Sequence, residues 1–436
     1  MLEVSHCVRN DGHLQNVKGK ASRHFERSEK PQAKRANQKI MKQSACKIYI
    51  EKQKSKALTN DIPVSANTEL IVVIPCYNEP DVKKTLDSLF ACDTGDFCTE
   101  IILLINSFEI SSKEIKELNR KTLAETQEFA RLNNNPHLKL IPLFIENLPG
   151  HQTGAGQPRK IGMDEALRRF ISIDKEDGVI VSLDADCLVD KNYLTEIQKI
   201  FYKNKKLLSA TIAFHHPIEH LSENDPIRKS IELYEVYLHY YRAALKYTGY
   251  PYAYHTVGSA FAVRCTPYSQ VGGMGKQQAG EDFYFLQKIF PLGPTVEITK
   301  TKVYPAARLS DRVPFGTGPA LAKMIAEKEI VKYTYSFESF QMLKSLFDII
   351  DNLFKTSSEN VEQKLKSLSP CLTKFLLSDN FIAEIETINK TTSTLSAFRK
   401  RFFNYFNAFK ILKYLNFVHP DYLEFKEVKQ EIPKVL

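Results

Sequence analysis

The chain has 436 residues, 43% of them hydrophobic and 25% charged, which is room for one large α/β domain with a smaller appended one and predicts a sizeable core. The net charge of +9 is carried wholly by residues 1–60, where 14 Lys and Arg meet 5 Asp and Glu, so a basic nucleic-acid-binding face on the folded body is excluded. No apolar run approaches the ~20 residues that span a bilayer, so no transmembrane anchor is expected.

Residues 1–60 are polar, basic and without hydrophobic period, and read as a disordered tail. They lack the apolar h-region of a signal peptide. Met41 offers an alternative start that would leave residues 1–40 outside the native chain. The eight cysteines show no C-x-x-C spacing and read as reduced thiols, which implies a cytoplasmic protein.

Order is expected from Glu69. Glu69–Cys76, Glu100–Asn106, the weaker Lys139–Glu146 and Gly178–Asp184 are near-continuous apolar runs, the pattern of strands buried on both faces. Helical patterns at Pro80–Phe90, Lys113–Leu132 and Ile161–Ile173 separate them. This alternation predicts a mostly parallel, doubly wound sheet. Further strands are expected at Leu208–Phe214, Ser259–Val263 and Thr295–Ile298. Beyond Pro319 the strand signals fade. Phe340, Leu343, Phe347, Ile350 and Phe354 recur at helical spacing, as do Phe402, Phe406, Phe409 and Leu412 less regularly. The expected division is a tail at 1–60, an α/β domain at 61–318 and a helical extension at 319–436.

Several constellations carry chemistry. Pro75-Cys76-Tyr77-Asn78-Glu79 leaves the first strand, where open α/β sheets bind ligands. Its ring, amide and carboxylate can stack on a base and bond its edge; taken alone it is equally a strand exit with helix-start chemistry. Asp184 and Asp186, two residues apart beyond an apolar strand, can share Mg²⁺ or Mn²⁺, hard cations that bridge carboxylates to phosphates. The plainer alternative is an Asx turn. Gly280-Glu281-Asp282 opens an amphipathic stretch. A carboxylate there can deprotonate a hydroxyl, although acids also favour a first turn through the helix dipole. Gly154 and Gly156 sit in a flexible loop, and Arg159 and Lys160 enter the next helix, whose N-terminus attracts anions. Arg308 and Arg312 flank the turn that runs to Phe315, Gly316 and Gly318, either a closing lid that grips phosphate or a surface linker. Tyr234, Tyr237, Tyr240 and Tyr241 read first as packing and second as an acceptor wall. His215 and His216 read as a polar loop near the acceptor. Arg399–Phe403, mixing Arg and Lys with Phe, reads as a buried helix face, with peripheral contact at the inner face of the membrane as the alternative.

In this order and strand context the motifs resemble the family 2 glycosyltransferases over about residues 69–318. The resemblance implies a GT-A fold and inverting transfer of a sugar from a nucleoside-diphosphate donor to an acceptor hydroxyl. Pro75, Tyr77, Asn78 and Glu79 would hold base and ribose, with Asn106, Arg159, Lys160, Asp184, Arg308 and Arg312 completing the donor site. Asp184 and Asp186 would hold the metal. Asp282, beside Glu281, would be the catalytic base. UDP-sugars are favoured, with GDP- and dTDP-sugars as alternatives. The acceptor would be a saccharide or lipid-linked, and the pathway surface polysaccharide or glycolipid assembly. Departures are visible. Asn106-Ser107 replaces the family's Asp-rich turn. The Gln-x-x-Arg-Trp element is absent, as is any Trp, and Arg308 and Arg312 with Phe315-Gly316 stand in its place. The membrane helices of the processive synthases are missing too, which argues for single transfer. Two other readings compete: a nucleotidyltransferase, which would open with a Gly-rich basic loop, and a non-catalytic nucleotide-sugar-binding scaffold.

Overall fold

The computed structural model describes residues 44–149, 154–309, 316–327 and 330–435. Its centre is strand β1 (Thr68–Cys76), buried on both faces. Side chains alternate along a strand, so Leu70, Val72 and Ile74 enter one core layer and Ile71 and Val73 the other. The first layer is closed by helices α2 (Val82–Phe90) and α5 (Tyr193–Lys203), through Leu86, Leu89, Leu194 and Ile197. The second is closed by α4 (Gly156–Ser172) and α8 (Glu281–Ile289), through Met163, Leu167, Phe285 and Leu286. A strand covered on both sides has no polar face, which is why these segments read as unbroken apolar runs.

The other strands are β2 (Cys98–Phe108), β3 (Leu138–Leu148), β4 (Val179–Ser182), β5 (Cys187–Val189), β6 (Ser209–Phe214), β7 (Phe261–Arg264) and β8 (Thr295–Pro305). They form one sheet of order β3-β2-β1-β4-β7-β6-β8-β5. Strands β1 to β4, β6 and β8 share a direction; β7 runs against β4 and β6, and β5 against β8. The sheet is thus mixed but mostly parallel and flanked by helices, as expected. The reversal of β7 has a consequence for chemistry. Its amino end reaches the edge where the parallel strands end, so Gly258 and Ser259 arrive beside the exit of β4.

One expectation is corrected and one unexpected element appears. The expected disordered tail contains helix α1 (Ala45–Gln53), capped by Ser44, with Cys46 and Tyr49 buried; residues 1–43 lie outside the described residues. The physical reason lies in α4, which buries charge. Tyr49 donates to Asp164 at 2.8 Å, Thr59 donates to Glu165 through N–H and hydroxyl, and the Ile62 and Pro63 carbonyls accept from Arg169. The unexpected element is strand β5. Three residues carry no periodic signal, and the strand exists by pairing with β8.

The remaining long helix of the α/β part is α6 (Pro226–Tyr247), after α3 (Lys113–Leu132) and before the short α7 (Cys265–Gln270). Beyond residue 316 come helices α9 (Thr317–Ala326), α10 (Phe337–Asp348), α11 (Ser358–Leu365), α12 (Pro370–Ser378), α13 (Phe381–Thr391), α14 (Leu395–Tyr405), α15 (Ala408–Val418) and α16 (Val428–Glu431), with one two-stranded ribbon. Their core holds Phe340, Leu343, Phe347, Ile350, Phe402, Phe406 and Leu412, and it is continuous with Tyr237, Tyr240, Tyr241 and Leu245 of α6. Arg399 pairs with Asp351 while Phe402 is fully buried, which fits the buried-face reading of 399–403. Among the described residues no helix is long and apolar enough to cross a membrane.

Candidate active site

The strand ends open into a cavity of about 420 Å³. One end is lined by Pro75, Tyr77, Asn106, Gly154, Ala155 and Pro158. Tyr77 meets Phe108 edge to face at 5.5 Å, and its hydroxyl lies 3.3 Å from that of Ser111. Asn78 takes a left-handed backbone (φ 51°) and donates its N–H to Asn119 Oδ1 at 3.2 Å. The Asn119 amide in turn donates to the Asn106 carbonyl at 2.6 Å. One buried side chain on α3 therefore ties the exits of β1 and β2 together. Sequence reasoning missed Asn119. A signal exists: with Thr122 and Thr126 it forms a buried polar stripe at helical spacing.

The centre is ionic. Arg159 is 2% exposed; it donates to Asp184 Oδ1 at 2.5 Å and pairs with Glu281. Burial works against its charge, yet Asp184, Glu281 and Asp282 outweigh burial and hold the guanidinium above its ordinary range. Burial lifts the Glu281 carboxyl to about 7, with Arg159 pulling down and Asp282 pushing up. Asp282 is also raised by burial, against Arg159 and the Phe283 N–H, which donates to it at 2.7 Å. Arg308 bridges Glu79 to Asp186, reaching Asp186 Oδ2 at 3.0 Å. Glu79 is wholly buried and also accepts from the Asp81 N–H at the start of α2.

The loop glycines have a packing reason. A Cβ on Gly154 or Gly156 would collide with the backbone of Gln278 or Gln277. Their absence of side chains lets the start of α4 lie against the segment that leads into Glu281. Gly258 is equally close: a Cβ there would sit 3.0 Å from both Arg159 Nη atoms and 3.0 Å from Asp282 Oδ2. Its carbonyl accepts from Ser182 Oγ at 2.7 Å, locking it to β4.

The far end is aromatic and basic: Tyr234, Tyr237, Tyr241, Arg242, Tyr252, Tyr254, His255 and Lys332, closed by Ala408 and Leu412 of α15. Tyr240 turns away and donates to the Tyr335 carbonyl, so the tyrosine run divides between wall and packing. Glu235 accepts from the ring Nδ1 of His215 and of His216, each at 2.8 Å, and His216 lines the cavity. Burial, then the charges of His239 and Arg242, lower the His255 pKa to about 3. Glu235 and His255 were not singled out from the sequence.

The structure thus brings Pro75, Tyr77, Asn106, Arg159, Asp184, Asp186, Glu281, Asp282 and Arg308 to one cavity. Lys160 is not brought there. One step along a helix turns a side chain by about 100°, and its Nζ donates to Tyr49 and Asp164 behind the sheet. Asn78 and Glu79 act from beneath the wall, and Arg312 lies outside the described residues.

Among the described residues no three His, Cys, Asp or Glu side chains form a ready-made ion site. The donor set nevertheless fits a hard cation. Asp184 and Asp186 present carboxylate oxygens to the cavity, with Asp184 39% exposed. Around them Glu79, Glu281 and Asp282 add further acids, against the two guanidiniums that touch this cluster. An anionic ligand entering this surplus of carboxylates needs added positive charge.

No family model matches the chain, and no curated protein matches it in sequence. Solved structures give distant likenesses. TarS 1–349 of S. aureus in complex with UDP-GlcNAc is 13% identical at a TM-score of 0.38, over 76% of this chain and 90% of that one. The mannosyltransferase PcManGT from Pyrobaculum calidifontis, in complex with GDP-Man and Mn²⁺, is 14% identical at 0.31, over 86% and 93%. At that distance the likeness decides nothing about activity, which has to be read from the side chains.

Proposed function

We propose that the protein is a glycosyltransferase of GT-A type. It moves a sugar from a nucleoside-diphosphate donor, UDP favoured, to a hydroxyl of a saccharide or lipid-linked acceptor, with inversion. One observation carries this reading: the strand-end carboxylates Asp184 and Asp186 and the half-buried carboxylate Asp282 meet the same arginine-braced cavity, with Tyr77 and Asn106 at one end and an aromatic wall at the other.

In this reading the base lies between Tyr77 and the 154–158 segment. The diphosphate passes Asp184 and Asp186, which would hold Mg²⁺ or Mn²⁺, and Arg308 closes over it. When bound, the divalent cation supplies positive charge to the leaving diphosphate. The chain's own residues do the rest. Arg159 fixes the Asp184 and Glu281 carboxylates, and Gly258 leaves room for the guanidinium beside Asp282. The acceptor hydroxyl attacks the anomeric carbon as the bond from that carbon to the diphosphate oxygen breaks. Asp282 takes the acceptor proton. Its raised pKa suits a base that must hold a proton after transfer. Tyr234, Tyr237 and Tyr241 offer the acceptor ring faces and hydroxyls.

The test is calorimetric titration of UDP-, GDP- and dTDP-sugars, with and without Mn²⁺, into wild type and Asp186→Ala. Metal-dependent binding of one donor, lost in the variant, supports the proposal. A folded wild type that binds none of them overturns it.

A further inference from the structure

Helix α4 starts without a side-chain cap: Ala155 precedes it and offers no acceptor to the first-turn N–H groups. Arg159, which pairs with Asp184 and Glu281, stands in that first turn. Its neighbour Lys160 supplies a hold from behind the sheet, donating to Tyr49 Oη at 2.6 Å and to Asp164 Oδ2 at 2.8 Å. Tyr49 and Tyr268 donate to Asp164 Oδ1 at 2.8 and 2.7 Å. All four residues are more than nine-tenths buried. Burial, then the Asp164 charge, pushes both phenols up, which keeps them donors. The Tyr49 hydroxyl abuts a second segment as well. A Cβ on Gly273, whose φ is 73°, would overlap it. Gly273 opens the stretch whose Gln277 and Gln278 backbone lies against Gly156 and Gly154 and which runs into Glu281 and Asp282. The two segments that carry Arg159 and the two acids therefore meet at the loop glycines and again at Tyr49.

We propose that Tyr49 is a positioning residue of the active site, its hydroxyl setting how far Arg159 stands from Glu281 and Asp282. This rests on reading the cleft as a nucleotide-sugar transferase site. Tyr49 does not line the cavity. It acts through Lys160 on the first turn of α4, and through its close contact with Gly273 on the acidic segment. Without the hydroxyl the buried Lys160 ammonium loses an acceptor, Asp164 loses a donor, and space opens beside Gly273. An under-satisfied buried charge is costly, and the uncapped start of α4 is the part of that helix freest to move in answer. Lys160 thus serves the site from one residue away, and the segment ahead of β1 becomes part of the machinery.

The experiment uses the full-length chain with Mn²⁺ and UDP-, GDP- or dTDP-glucose as probe. Binding is titrated, turnover is read as release of nucleoside diphosphate with water as the acceptor, and thermal unfolding confirms that each variant is folded. Tyr49→Phe deletes the hydroxyl and keeps the ring. It should lower kcat by about tenfold, the loss expected of a displacement of about half an ångström, while donor Kd stays within about threefold. Asp164→Asn, isosteric with the native side chain, should show the same split. Cys46→Ala is the control. It trims a buried side chain of the same helix that faces Ser269 rather than Asp164, and should lower the unfolding midpoint at wild-type kcat. Wild-type kcat in folded Tyr49→Phe, a donor Kd that rises in step with the fall in kcat, or an equal loss of kcat in Cys46→Ala each overturns this inference and leaves the transferase reading standing. A folded wild type that binds none of the three nucleotide sugars overturns both.

Discussion

Gly258→Ala isolates the geometry around the proposed base. Gly258 is not among the glycines with positive φ, so alanine meets no backbone strain there. The added methyl would lie 3.0 Å from both Arg159 Nη atoms and from Asp282 Oδ2. Comfortable contact is about half an ångström longer, and neither neighbour is free to move far. Arg159 is held by Asp184 and Glu281, and Asp282 by the Phe283 N–H. Each must therefore retreat by about half an ångström from its place. A misplacement of ~1 Å in an active site costs on the order of 10²-fold in rate, so about tenfold, or ~1.4 kcal/mol of barrier, is expected here. The assay is initial-rate release of nucleoside diphosphate at saturating donor and acceptor, alongside donor titration. A tenfold fall in kcat with donor Kd within about threefold is the expected result, and overpacking should lower the unfolding midpoint only modestly. Gly258→Val should be worse. A folded Gly258→Ala enzyme with wild-type kcat would refute the idea that the Arg159–Asp282 spacing sets the rate.

Three other perturbations test separate parts. Burial raises the Asp282 pKa above the usual aspartate value, and a base works only when deprotonated; kcat/KM should fall as pH drops through an apparent pKa above the usual aspartate range, and Asp282→Asn should remove this limb along with ~10²–10⁴-fold of the rate. Asn119→Leu deletes both bonds that join the β1 and β2 exits, about 1 kcal/mol each; donor Kd measured by titration should rise about tenfold, and an unchanged Kd would count against the tie. His255 has its pKa lowered to about 3 by burial, so the unfolded chain takes up a proton below pH ~6.5 that the folded one refuses. Stability from this group is full above that pH and is lost as pH falls, by up to about 1.4 kcal/mol per unit; denaturant unfolding at pH 7 and 5.5 should show it, and His255→Phe should flatten the difference.

What could be read from the sequence was what local pattern encodes. A strand covered on both faces has to be apolar along its length, so β1, β2 and β4 announced themselves, and their exits marked Tyr77, Asn106, Asp184 and Asp186. Direction is different. Nothing in the Phe261–Arg264 run says that it is antiparallel, yet that reversal delivers Gly258 to Asp282. Helix α1 was illegible because its order depends on partners over a hundred residues away, Asp164 on Tyr49 and Ser269 beside Cys46. Lys160 misled for a simpler reason. Adjacent basic residues at a helix start look equivalent in a motif, but the helix sends one to the cavity and the other behind it.

The helices beyond residue 316 matter to the site through α6. That helix lends Tyr234, Tyr237, Tyr241, Arg242 and Leu245 to the cavity lining, while Tyr237, Tyr240, Tyr241, Ala244 and Leu245 also pack into the core built with Phe340, Leu343 and Phe406. Without those partners, the aromatic and aliphatic side chains of α6 would face water, and each fully buried side chain of this kind contributes about 1.5–3 kcal/mol. The wall cannot be held in place by the sheet alone. Phe409 packs at 5.0 Å on Phe283, next to Asp282, and Ala408 and Leu412 close the cavity's far end. The C-terminal helices therefore reach the cavity from two directions, as support for the α6 wall and as part of its enclosure. The charged centre and the Tyr77 end are built by strand exits and helices of the α/β part, so under the proposed function divergence in the C-terminal helices would alter which acceptor enters without disturbing the groups that break the donor bond.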